Sequence, residues 1–290
     1  MKLKKDTNIL IVGLGLLGGS YAMALTKKGY RVKALTRSQS SIDYALAEGI
    51  IADGKTGVDP DTIAEADLIV FSVYPRILIE WMEQNRSLIK PRTVLTDVTG
   101  VKCSTVYRIQ DLIPEGAEFI AAHPMAGREC LGVQNATDAI FKNANYLVVP
   151  TENNTEDAIL LCEELGRELG FARISRISPE KHDEMIAFLS QLTHAIAVTL
   201  MCCNDSPDLV QYTGDSFRDL TRIAKIDDVM WNELFMCNRD ELARQMDIFS
   251  ETFEKMRRAL KEGDTTTMRR MMRTSTERRK LFDKPQSNDR

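Results

Sequence analysis

Histidine is scarce in this chain: His123, His182 and His194 are the only three among 290 residues, so chemistry that needs an imidazole has few places to occur. The six cysteines (Cys103, Cys130, Cys162, Cys202, Cys203, Cys237) include no C-x-x-C pair and no zinc spacing. No metal site is expected from them, and reduced thiols in a cytoplasm are the expected state. Positive charge is not in excess either. Lys and Arg number 38 against 42 Asp and Glu, a formal charge of −4, which offers no electrostatic footprint for nucleic acid or an anionic membrane. A small-molecule ligand is the partner this balance favours. The basic opening Met1-Lys2-Leu3-Lys4-Lys5 leads into Asp6, Thr7 and Asn8, and the apolar run beyond is too short for a signal-peptide core, so no export is expected. Repeats and low-complexity tracts are missing. Charge itself is missing from residues 185–204, a length that raises a membrane helix. Ser190, Gln191, Thr193 and His194 sit in the middle of that stretch and favour a helix buried in protein, with no membrane partner.

What is present is an alternation. Residues 8–12 form a β-branched run ending at Gly13, and 18–26 read as helix. Further apolar runs at 31–35, 68–73, 94–97 and 119–122 are separated by helix-like segments such as 41–48 and 76–88. Strands alternating with helices predict a doubly wound parallel sheet, an α/β domain of Rossmann type. Runs at 146–149 and 173–177, flanking a helix over 155–169, are expected to extend that sheet. Ser178-Pro179-Glu180 then supplies an N-cap, a first-turn proline and an acidic residue in the order a helix start prefers, and beyond it only helices are predicted. Two domains are expected: a dinucleotide-binding domain over 1–175 and an all-helical, substrate-binding and dimerising domain over 176–290. At helical spacing Met185, Phe188, Leu189, Leu192 and Ile196 share one stripe, with Ala187, Gln191, His194 and Val198 opposite, and both faces are expected to be covered. Phe235, Met236, Met246, Phe249 and Phe253 suit either a core or a contact between two subunits.

Gly13-Leu14-Gly15-Leu16-Leu17-Gly18 is a G-x-G-x-x-G loop placed directly after a strand and opening a helix. In that setting the first glycine permits the turn, the second lets backbone approach a pyrophosphate, and the third lets helix and strand pack closely. Ser72 and Val73, closing the run 68–73, join the residues expected to hold the cofactor. The end of the second strand selects between nicotinamides, because NAD enzymes carry an acid there for the ribose 2′-hydroxyl. Here Thr36-Arg37-Ser38-Gln39-Ser40 has no carboxylate, and Arg37 with the hydroxyls of Thr36, Ser38 and Ser40 suits a 2′-phosphate. NADP is therefore favoured over NAD; the alternative is Arg37 stacking on adenine in an NAD enzyme.

His123 follows the run Phe119-Ile120-Ala121-Ala122, which places an imidazole at the carboxyl end of a strand, where α/β sheets bind ligands. His123-Pro124-Met125-Ala126-Gly127 with Glu129, the segment from Asp97 to Lys102, Ser190 to His194, Gly214-Asp215-Ser216-Phe217-Arg218-Asp219-Leu220-Thr221-Arg222-Ile223-Ala224, and Trp231 together resemble the prephenate dehydrogenase family over nearly the whole chain. The resemblance implies oxidative decarboxylation of prephenate, or of arogenate, with hydride passing to NAD(P)+. It implies that His123 accepts the hydrogen bond of the ring hydroxyl and needs its neutral form near neutrality. Arg222 would grip a carboxylate, or else fix two helices as an ion pair. His194 would stand near the side-chain end of the substrate, or be a core histidine bonded to a carbonyl. Arg218, Ser190 and Gln191 are further substrate-side candidates, with a merely solvated arginine the alternative for Arg218, and Glu129 would gate the pocket by pairing with the arginine, or else be a plain solvated acid.

Two departures from the family pattern stand out. Gly100 occupies the place of a serine that hydrogen-bonds the catalytic histidine, and Thr99 is the candidate substitute. Gln191 stands where many members have a histidine. The resemblance also implies a homodimer joined through the helical domain, with neither a fused mutase nor a regulatory domain expected. Competing readings keep the cofactor but change the rest: a 3-hydroxyacid dehydrogenase or imine reductase of similar layout, or a non-catalytic NADP-binding redox sensor. The His123 and Arg222 pair argues against all of these.

Overall fold

Buried apolar runs seed the centre of the molecule, whose computed structural model describes residues 3–128 and 130–283. Strands β1 (Ile9–Val12), β2 (Val32–Thr36), β3 (Asp53–Thr56), β4 (Leu68–Phe71), β5 (Val94–Asp97) and β6 (Glu118–Phe119) form one sheet, ordered β3-β2-β1-β4-β5-β6 with every pairing parallel. β1 reads ILIV and β4 reads LIVF, buried at every position, as a strand covered on both faces must be. Because side chains alternate, Ile9 and Ile11 join a core with Tyr21, Leu25 and Leu165, while Leu10 and Val12 join another with Phe71, Leu78 and Ile109. Helices Leu16–Lys27, Gln39–Ala47, Pro75–Asn85, Val106–Leu112 and Glu156–Leu169 alternate with the strands in sequence. The strand order reverses at β1, so the crevice for a ligand opens where β1 ends, at Gly13.

The runs expected to extend this sheet do not. β7 (Ala121–Pro124), β8 (Asn145–Val149) and β9 (Arg173–Arg176) form a second sheet of three strands, with β7 antiparallel to β8. The run 119–122, read as one strand, is broken at Ile120 between the two sheets. A side chain explains the break: the Asp97 carboxylate, at the end of β5, accepts the Ala122 N–H at 3.1 Å. The β7 backbone is thereby released to pair with β8, in a register that sets His123 opposite Leu147.

Beyond Arg176 the described residues form only helices and turns. Ser178 caps the helix Pro179–Ile186, accepting from the Lys181 N–H at 3.2 Å, with Pro179 in the first turn. A π turn, Ala187–Gln191, then leads into the helix Leu192–Cys202. That turn overturns the predicted stripe. A wider turn rotates the helix beyond it about its axis, so Ile186, Ala187, Gln191 and Leu192 are buried while Phe188 and Leu189 are 53% and 49% exposed. The stretch Pro179–Cys202 is long and apolar enough to cross a membrane by length and composition, and 28% of its most apolar window is buried. Among the described residues, the expected covering of both faces is not met. The molecule divides into two compact units, Met1–Arg239 and Asp240–Arg290. The second holds most of the helix Arg239–Glu262 and the helix Thr265–Lys280, whose cap Asp264 accepts from the Thr267 N–H at 2.9 Å.

Candidate active site

The glycine loop is shaped by what cannot fit. Gly13 has φ +98°, and a Cβ there would lie 2.3 Å from the Ser72 carbonyl oxygen and 2.7 Å from Val73 Cγ1. A Cβ on Gly18 would lie 2.0 Å from the Gly13 carbonyl oxygen, so helix and strand touch backbone to backbone. Ser72 and Val73 therefore brace the loop from β4. At Gly15 a Cβ would meet nothing within 4 Å, and the first turn of the helix starting at Leu16 contains no acidic residue. Leu16 and Leu17 present their amides at that open helix end, an arrangement that fits a pyrophosphate. At the end of β2, Arg37 and Ser40 are exposed. The Ser38 hydroxyl is partly committed: it accepts from the Ser41 N–H at 3.2 Å and lies 2.9 Å from Ser40 Oγ.

His123 is held by a buried ion pair. Lys102 Nζ, with its side chain wholly buried, reaches Asp97 Oδ2 at 2.7 Å, the Ala122 carbonyl at 2.7 Å and Thr99 Oγ1 at 3.2 Å. Asp97 takes the Ala122 N–H on its other oxygen, so the residue before His123 has both backbone groups fixed by this pair. Burial pushes the Lys102 ammonium below its ordinary range, against the pull of Asp97. Removing one partner of such a pair costs about 3–5 kcal/mol. Thr99, expected to stand in for the family serine, does not: its hydroxyl donates to Asp97 Oδ2 and belongs to the ion pair. Gly100 does border the imidazole, since a Cβ there would lie 3.9 Å from His123 Cε1.

The imidazole has another neighbour. His123 Nδ1 lies 2.8 Å from His182 Nε2, and His182 Nδ1 lies 2.7 Å from Asp183 Oδ1. Asp183 also accepts the backbone N–H of Lys102 at 2.9 Å and of Cys103 at 2.8 Å. Burial drives His123 well below the usual imidazole range, helped by the proximity of His182 and Lys102. Burial lowers His182 too, despite its bond to Asp183. Burial alone would raise Asp183, but the His182 hydrogen bond and the two amides outweigh it and hold the carboxyl low. The His123 imidazole is therefore held in its neutral form near neutral pH.

A helical wall closes the other side. Leu234 side-chain carbons would lie 3.6 and 3.8 Å from a Cβ on Gly100, and Trp231, three residues earlier on the helix Asp228–Cys237, stacks on His194 with ring centroids 3.7 Å apart. His194 Nδ1 donates to the Ser190 carbonyl at 2.9 Å. The turn Arg222–Ala224 packs on His194's helix, Leu192–Cys202. His123, through Gly100 and Leu234, and His194, through Trp231, thus border one helix, and the Arg222 turn packs on the helix that carries His194.

A family model described as "Prephenate dehydrogenase, nucleotide-binding domain" matches residues 21–174, and one described as "Prephenate dehydrogenase, dimerization domain" matches residues 178–274. The chain belongs to the prephenate dehydrogenase family. It is 29% identical to the prephenate dehydrogenase of Bacillus subtilis over 286 residues, covering 96% of this chain and 76% of that one. It is 28% identical to the cyclohexadienyl dehydrogenase of Zymomonas mobilis, covering 89% of each. The crystal structure of Aquifex aeolicus prephenate dehydrogenase with hydroxyphenyl propionate and NAD+ superposes with a TM-score of 0.87 at 26% identity, covering 97% of this chain and 100% of that one. The fold and the dehydrogenase class expected from the sequence hold.

Several candidate site residues of this family member are engaged within the fold. Gln191 is committed within the fold: its buried amide donates to the Leu234 carbonyl at 2.9 Å and accepts from Asn238 Nδ2 at 2.8 Å. Arg218 is exposed and bonded to Asp215 at 2.6 Å and to the Thr213 carbonyl. Ser190 serves His194 through its carbonyl. Glu129 lies outside the described residues. The residues overlooked were His182, Asp183 and the Lys102 ammonium, because nothing in local spacing links position 182 to position 123.

Proposed function

We propose that this dehydrogenase oxidises prephenate to 4-hydroxyphenylpyruvate and CO2. The observation that carries it is the neutral, half-buried His123 fixed beside Gly100 and Leu234 by the Asp97 and Lys102 pair. A nicotinamide bound along the glycine loop supplies a hydride acceptor. The chain's own residues do the rest. His123 accepts the hydrogen bond of the ring 4-hydroxyl and draws on its proton as the carbon beneath becomes carbonyl-like, after which loss of the ring carboxylate restores aromaticity. Arg222 offers a planar fork for a substrate carboxylate, and the stacked His194 and Trp231 form an apolar wall for the ring. The Aquifex protein's complex with a hydroxyphenyl acid and NAD+ supports the substrate class.

For the cofactor, NADP is the proposed preference, resting on Arg37 at the end of β2 with no carboxylate between Thr36 and Ser40. The proposed domain boundary near residue 175 is supported by the family matches over 21–174 and 178–274, while the compact units divide later, after Arg239; the exposed Phe188, Leu189 and Met201 support a homodimer through the helical domain. A cytoplasmic location accords with that biosynthetic role. The experiment is reduction of NADP+ and NAD+ in parallel, with prephenate and arogenate each as substrate, monitored by the absorbance of reduced nicotinamide. Turnover faster with prephenate and NADP+ is expected. Faster turnover with arogenate would move the substrate, faster turnover with NAD+ would return Arg37 to adenine stacking, and no turnover at all would leave a dinucleotide-binding protein of another role.

A further inference from the structure

We propose that His182 and Asp183 are positioning residues that set the tautomer of His123, leaving its Nε2 as the base. The inference rests on His123 being the base proposed above, but the assignment of protons comes from geometry alone. Asp183 accepts two backbone N–H groups, one on each oxygen, and so is bound as an anion: a protonated carboxyl would waste one of those bonds. An anionic carboxylate 2.7 Å from His182 Nδ1 requires that nitrogen to carry a hydrogen. A neutral His182 then has a lone pair on Nε2. That lone pair, 2.8 Å from His123 Nδ1, requires His123 to donate from Nδ1. One hydrogen on Nδ1 leaves the remaining nitrogen of His123, Nε2, unprotonated, and no hydrogen-bond partner holds it among the described residues.

Each step is enforced by burial. His182 is fully buried and Asp183 nearly so, which leaves no water to satisfy a misplaced proton. The charged groups facing the pair are Asp97, Lys102 and Asp183. Lys102 is committed to Asp97, Thr99 and the Ala122 carbonyl, and does not reach the histidines as a donor. The arrangement answers the departure at Gly100, where no hydroxyl is available to orient the imidazole. Here the ring is oriented through its other nitrogen, from the helix Pro179–Ile186. His182 and Asp183 do this without touching substrate.

Nitrogen-15 NMR of the histidine side chains tests the assignment directly, because the chemical shifts of a neutral imidazole's two nitrogens identify which is protonated. With three histidines, single substitutions assign the signals. The wild-type protein at neutral pH is expected to show His123 protonated on Nδ1. An Nε2–H form of His123 would overturn the proposal, whatever the enzyme turns over. The kinetic arm uses His182→Phe, which keeps a ring but offers no acceptor, and His182→Gln, whose amide oxygen restores one. His182→Phe is expected to lower kcat at least about tenfold, as a base in the wrong tautomer does, with the KM for the nicotinamide unchanged. It should also shift His123 toward Nε2–H, and His182→Gln should recover part of both. Unchanged kcat in a folded His182→Phe protein would end the proposal. If that variant does not fold, the wild-type spectrum and His182→Gln decide. Failure of the wild-type enzyme to oxidise prephenate would refute the substrate while leaving the proton assignment to the spectrum.

Discussion

At the scale of single residues, the site separates groups that do chemistry from groups that were only near it in sequence. His123 is proposed as the base, so His123→Asn, which keeps a polar group of similar reach but no usable lone pair of that basicity, should lower kcat at least about a hundredfold. Cofactor affinity, read by fluorescence titration, should hold, since the glycine loop is untouched. Unchanged kcat would remove His123 from the mechanism. For Arg222 the expectation differs in kind. A charge-assisted pair with a carboxylate is worth about 1.5–3 kcal/mol, so Arg222→Met should raise the KM for prephenate roughly ten- to a hundredfold while kcat changes less. A KM that stays put would assign the guanidinium to helix packing. His123 could be found in the sequence because a strand and a loop announce its position. His182 and Asp183 could not, because the contact with His123 joins a strand to a helix 59 residues further along the chain. The place of Thr99 is hidden in the sequence for a related reason. A hydroxyl adjacent to the expected serine position looks available until its partner Asp97 is seen.

At the scale of elements, the parallel sheet was legible because each strand is a short apolar run bounded by turn residues, and burial on both faces leaves no other pattern. The second sheet was not legible. Continuous apolar sequence from Phe119 to Ala122 does not reveal that a carboxylate from β5 interrupts the ladder, and that interruption is what turns His123 into the site. The π turn Ala187–Gln191 escaped for a similar reason, since regular helical spacing carries no mark of one extra residue. Gln191 is the residue that most depends on it. Its two buried hydrogen bonds tie the turn to the Leu234 carbonyl and to Asn238, on the segment that also carries Trp231. Gln191→Ala should therefore cost about 1–3 kcal/mol of stability, seen as a lower denaturant midpoint, while kcat at saturating substrate changes little. A large rise in the KM for prephenate with stability intact would restore Gln191 to the substrate pocket.

At the scale of the whole molecule, two properties go beyond any one element. The first is exposed apolar surface on the helix Leu192–Cys202 and the turn before it, where Phe188, Leu189 and Met201 are each about half exposed. A second copy covering this face is the proposed explanation, and Phe188→Glu should convert the protein from dimer to monomer by sedimentation. A wild-type protein that sediments as a monomer would refute it. The second property is the response to acid. His182 is buried and His123 half-buried, both as neutral groups, and both lie below the ordinary imidazole value of 6.5. In the unfolded chain those imidazoles take up protons as pH falls through about 6.5, while the folded protein resists until lower pH. The unfolded state then binds more protons, so stability is full above that value and declines as pH falls below it. Asp183 adds a second loss further down, because its folded carboxyl is held below its ordinary value of 3.8. The melting temperature should thus be flat from about pH 6.5 to about pH 8 and fall steadily beneath that range, and His182→Phe should reduce the slope just below pH 6.5 by removing one of the two neutral imidazoles. A wild-type melting temperature unchanged on moving from one pH unit above 6.5 to one below would mean that the histidines are solvated enough to titrate normally, and the neutral base would then have to be explained by something other than burial.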